Sequence, residues 1–114
     1  MSTSLARLRE TEVEVVRRLC LRPERLSVTE WADRERILPE TSTAPGPYRS
    51  SVMPYARRWQ DLMADPDTRT VVLCWASQLG KSTTVENALG FRIHRAPTPL
   101  ILIRPKIDDA ESWA

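Results

Sequence analysis

The chain has 114 residues, a net charge of +2, 41% hydrophobic and 28% charged residues. That length suits one small domain, the near-neutral balance gives no electrostatic case for nucleic-acid binding, and no apolar run nears the ~20 residues of a membrane span. Two cysteines, Cys20 and Cys74, and the single His94 make neither a disulfide framework nor a metal site; the thiols are expected reduced and buried, and Arg7 and Arg9 have no apolar stretch behind them that would read as a secretory signal.

Residues 4–20 read as a charged amphipathic helix, with Leu5, Leu8, Val15 or Val16, and Leu19 on one side and Glu14 spaced to pair with Arg18. Arg17, Arg18, Arg22 and Arg25 fit a solvated helix face, with contact to DNA phosphates as the competing reading. Pro23 breaks this helix, and Ser27-Val28-Thr29-Glu30 then forms a capping box opening a second one, about Val28 to Arg36. Leu26 and Trp31 stand at hydrophobic-staple positions, so Trp31 is expected in the core.

From Ile37 to Met53 the prolines at 39, 45 and 47, with Gly46, exclude helix and regular strand. This stretch reads as an extended arm laid across a surface, burying Tyr48 and Val52. Pro54 starts a third helix with Tyr55, Trp59, Leu62 and Met63 as its apolar stripe, ended by Asp65-Pro66-Asp67.

Val71 to Trp75 is an unbroken apolar run suited to a strand buried on both faces. A short loop leads to Gly80-Lys81-Ser82 and then to a helix with Val85, Ala88, Leu89 and Ile93 on one face. Strand, glycine-containing loop and helix is the layout of a phosphate-binding P-loop. Helix N-termini attract phosphate through unpaired N–H groups and the dipole. Gly80 lets the backbone approach the phosphates, Lys81 supplies an ammonium to the β- and γ-phosphates, and Ser82 a hydroxyl to Mg²⁺. The full pattern has a first glycine where this chain has Trp75. Leu100 to Ile103 is a second buried strand, giving a parallel, right-handed β-α-β unit, and Asp108 to Ala114 opens a further helix.

The expected fold class is therefore α/β, an incomplete P-loop NTPase with a Walker A loop, preceded by an N-terminal helical region and the arm. The division expected is 1–53 for helices and arm and 54–114 for the start of the ATPase domain, truncated before Walker B. A doubly wound sheet needs more strands, so the chain reads as the front of something larger. With only two apolar strands and open edges, it is expected to fold poorly or aggregate alone.

Several blocks together resemble the lambda-type (GpA) phage terminase large subunits, the ATP-driven motors that package viral DNA. They are L-S-V-T-E-W-A-D at 26–33, P-G-P-Y-R at 45–49, P-Y at 54–55, V-V-L-C-W-A-S-Q-L-G-K-S-T at 71–83, L-I-L-I-R-P at 100–105 and the acidic-alanine start at Asp109-Ala110-Glu111. The resemblance implies a nucleotide site made of Ala76, Ser77, Gln78, Leu79, Gly80, Lys81, Ser82 and Thr83, with ATP and Mg²⁺ as cofactors and Ser82 as the metal-binding hydroxyl. It implies double-stranded DNA, a terminase small subunit and the portal or capsid as partners, no membrane, and the cytoplasm of a bacterial host. Trp75 replaces a basic residue frequent in the family at the loop start. Hydrolysis requires an acidic pair after an apolar strand; Asp108-Asp109 follows a proline-broken turn and does not qualify, so no complete catalytic set and no ATP turnover are expected from these residues alone. The alternatives are a truncated prophage remnant without activity, or another P-loop DNA-translocating or helicase-like ATPase.

Overall fold

A computed structural model describes residues 2–21 and 24–105, with the side chains of 2–8 and 10 excepted. Among the described residues there are four helices and one small ladder: α1 (Ser2–Cys20), α2 (Val28–Glu35), β1 (Ile37–Leu38), β2 (Gly46–Pro47), α3 (Ala56–Leu62) and α4 (Lys81–His94). The result is a small helix-rich fold with a two-stranded antiparallel sheet, compatible with the α/β class at this coarse level.

Helix α1 forms where periodicity predicts it, and Glu14 and Arg18 pair at 3.0 Å. Among the described residues it packs against no other element. Leu5 and Leu8 lie outside the described side chains, and Arg22 and Pro23 outside the described residues; Val15, Val16 and Leu19 are exposed.

Helix α2 starts at the expected capping box: Glu30 N–H donates to Ser27 Oγ and the Ser27 N–H donates to the Glu30 carboxylate at 2.8 Å. The Ser27 N–H holds the Glu30 carboxyl below the usual carboxylate range. A depressed carboxylate stabilises the fold at neutral pH, and its contribution disappears as pH falls through the folded value.

Trp31, Ala32 and Tyr48 form a buried hydrophobic cluster, joined by Leu26, Leu38, Met53 and Phe91, and Val28, Ala56 and Ala88 are buried as well. The Trp31 ring meets Phe91 edge-on at 6.2 Å, and its Nε1–H donates to His94 Nδ1 at 2.9 Å. Helix α4 comes so close to α2 here that a Cβ on Gly90 would stand 2.6 Å from the Trp31 ring. A mid-helix glycine costs about 1 kcal/mol against alanine; the close approach explains its presence.

The stretch after α2 is tied back onto it. Tyr48 N–H donates to Arg36 O at 2.9 Å, and Ser50 gives both its N–H and its hydroxyl to the Asp33 carboxylate, each at 2.6 Å. Burial pushes the Tyr48 phenol up. Ile37 to Met53 is not wholly irregular, because Ile37 pairs with Pro47 and Leu38 with Gly46. Gly46 makes that bend possible with φ +105°.

Helices α3 and α4 meet through polar groups. Asn87 Nδ2 donates to Gln60 Oε1 at 3.1 Å, Gln60 Nε2 to Thr29 Oγ1 at 2.8 Å, and Thr29 Oγ1 to Asp61 Oδ1 at 2.8 Å. Gln60 and Asn87 are both 0% exposed. This chain of hydrogen bonds runs from α4 through α3 to α2.

Several expectations need correction. The apolar stripe of α3 is displaced: Ala56 and Gln60 are buried, whereas Tyr55 and Trp59 are exposed, because the small Ala56 lets the seven-residue helix sit close and Gln60 bonds its neighbours. Val52 and Ile93 are exposed, and both cysteines are free and exposed rather than buried. The parallel strand pair is not formed among the described residues; 70–76 and 97–104 are neither helix nor strand. They nonetheless carry the burial of a strand with one covered face. Val71, Leu73 and Trp75 are half-buried while Val72 is 71% exposed, and Leu100 and Leu102 (46% and 43%) are shielded relative to Ile101 and Ile103 (89% and 85%). Val71, Leu73, Leu100 and Leu102 line cavities along α4. Asp108 to Ala114, expected to begin a helix and carrying Asp109-Ala110-Glu111, lies outside the described residues.

Candidate functional site

The loop between the apolar run and α4 turns sharply enough to need unusual backbone. Gln78 has φ 62° and Gly80 φ 75°, both left-handed. At Gly80 the left-handed backbone calls for glycine, and a Cβ there would also press on the flexible end of the Met53 side chain. Gly80 is the N-cap of α4 and offers no side chain to the first-turn N–H groups. Those donors belong to Lys81, Ser82 and Thr83, and they project from the positive end of a 14-residue helix.

Thr84 fixes the next link. Its N–H and its hydroxyl both donate to Gly80 O at 2.9 Å, and its side chain is buried. Lys81 is half-buried and places its ammonium on Trp75 O at 2.7 Å, across the mouth of the loop. Among the described residues no carboxylate pairs with it. Ala76, Ser77, Gln78, Leu79 and Ser82 are exposed, and Thr83 is half-buried. All eight residues singled out in the sequence thus lie on one continuous turn and the first turn of α4.

Other residues reach this loop that the sequence had not assigned to it. The Tyr55 hydroxyl donates to Leu79 O at 3.0 Å, and its ring meets Trp75 edge-on at 5.4 Å. Tyr55, Trp75, Cys74, Ala76 and Leu79 enclose an open cleft of about 320 Å³. Arg104, at the end of the second apolar run, lines a cavity of about 350 Å³ together with Lys81 and Ser82. Only proximity in the fold brings Met53, Tyr55 and Arg104 here; each is separated from the loop in sequence.

A glycine-hinged turn delivering a lysine to a helix N-terminus is an anion-binding arrangement in chemical terms. The family model of the phage terminase large subunit gpA ATPase domain matches residues 42–114, and the chain belongs to that family. At family level this is the ATPase domain of the terminase packaging motor, whose large subunits work with DNA and other phage proteins. No curated protein and no solved structure matches the chain. Among the described residues no helix is long and apolar enough to cross a membrane, and no cluster of His, Cys, Asp and Glu could hold a metal.

Proposed function

We propose that residues 76–83 are the nucleotide loop of a packaging ATPase. The observation that carries this reading is the conjunction at the start of α4: a left-handed Gly80, uncapped first-turn N–H groups, and a Lys81 ammonium held only by a neutral carbonyl. Such a cation, without a carboxylate partner among the described residues, suits a polyphosphate. The backbone of Ala76 to Gly80 cradles phosphate oxygens, and Lys81 neutralises the β- and γ-phosphates after leaving Trp75 O. Ser82, exposed on the first turn, provides the hydroxyl for Mg²⁺, with Thr83 beside it. Ser82 would hold Mg²⁺ through that hydroxyl, and the ion when bound would supply charge neutralisation to the phosphates. Hydrolysis would further require an acidic pair, which Asp108-Asp109 does not supply. In the assembled motor the chain acts on double-stranded DNA with a small subunit and the portal or capsid, in the cytoplasm of the bacterial host.

The test is equilibrium titration of the chain with a fluorescent ATP analogue and Mg²⁺, wild type against Lys81→Ala. A charge-assisted phosphate contact is worth about 1.5 to 3 kcal/mol, so binding weakens at least about tenfold. In a packaging terminase carrying the substitution, ATP-dependent DNA packaging is abolished. Equal affinity of the two proteins for the nucleotide overturns the assignment.

A further inference from the structure

We infer that Tyr55 is a positioning residue of the loop, setting which side of the Leu79–Gly80 peptide faces a bound phosphate. The inference rests on the nucleotide-loop reading above. Every peptide bond among the described residues is trans, so the carbonyl and N–H of one peptide point in opposite directions. The Tyr55 hydroxyl holds Leu79 O at 3.0 Å. The Gly80 N–H is thereby turned away from Tyr55 and joins the donors that precede α4.

Glycine at 80 does not make this choice by itself. Turning the peptide over changes ψ of Leu79 and φ of Gly80, and glycine accepts positive and negative φ about equally. The reversed peptide would present a carbonyl oxygen where an anion requires an N–H. On the other side of Gly80 the next peptide is already pinned, because Thr84 donates twice to Gly80 O at 2.9 Å. Tyr55 is thus the hold on the peptide before Gly80, as Thr84 is the hold on the peptide after it. The edge-on contact of the Tyr55 ring with Trp75 keeps that hydroxyl in place.

The chain has three glycines, so ¹⁵N-glycine labelling gives one amide signal each for Gly46, Gly80 and Gly90. Tyr55→Phe keeps the ring and removes only the hydroxyl. It moves the Gly80 signal, leaves the Gly46 and Gly90 signals in place, and lowers the melting temperature by no more than the loss of one exposed hydrogen bond allows. A neutral hydrogen bond of about 0.5 to 1.5 kcal/mol corresponds to about two- to tenfold weaker binding of the fluorescent ATP analogue. An unmoved Gly80 signal, or undiminished affinity in Tyr55→Phe beside weakened binding in Lys81→Ala, overturns the role of Tyr55 and leaves the nucleotide loop standing. Affinity indifferent to both substitutions overturns both.

Discussion

Helix α4 is finished differently on its two sides. Toward α2 and α3 it buries Thr84, Asn87 and Ala88, and its polar atoms meet Gly80 O and Gln60. Toward 70–76 and 97–104 it offers Val85 and Leu89, half-buried, and Ile93, exposed, beside open cavities of about 570 and 460 Å³. Buried polar pairs of fixed geometry specify one placement of a helix, whereas apolar contact tolerates sliding. The closed side therefore sets where α4 stands and hence where the loop points. The open side carries side chains suited to burial whose outward neighbours, Val72, Ile101 and Ile103, meet solvent.

Gln60→Leu breaks the closed side most severely. It removes the acceptor for Asn87 and the donor to Thr29 at a fully buried position, and leaving such groups unsatisfied costs about 1 to 3 kcal/mol each. Denaturant unfolding of the chain should show a loss of about 2 kcal/mol or more, partly recovered when Asn87→Leu is added. A loss below about 0.5 kcal/mol would mean that the polar seam does not hold α4.

The open side should respond in the opposite sense. Ile101→Ser with Ile103→Ser changes stability by no more than about 0.5 kcal/mol, because both residues are already in solvent, while self-association measured by sedimentation declines. Leu100→Ser with Leu102→Ser, on the shielded positions, costs more. Equal costs for the two pairs would erase the alternation.

The sequence was most legible where local chemistry is self-contained. The capping box at Ser27 and Glu30, the Glu14–Arg18 pair, the burial of Trp31 and Tyr48, and a helix beginning at Lys81 all follow from neighbours a few positions apart. The polar seam was not legible, because Gln60, Thr84 and Asn87 carry the side chains of a solvated helix face and only tertiary contact reveals them as buried. The same holds for Tyr55, which reads as one residue of an apolar stripe but precedes α3 and bonds the loop. Val71 to Trp75 and Leu100 to Ile103 have the composition of two-face-buried strands, and their alternation survives along α4 without a ladder between them. A strand needs paired partners as well as suitable side chains.

Backbone hydrogen exchange of the chain with and without Mg²⁺ and ATP tests the central claim most directly. Helix first-turn amides lack intrahelical acceptors and exchange readily, so a phosphate seated on them must slow them. The account predicts that added protection centres on residues 77–83, strongest at Lys81, Ser82 and Thr83, with α1 unchanged. Protection absent from this loop, or centred instead on the cavity that Leu89, Leu100 and Leu102 line, would contradict it.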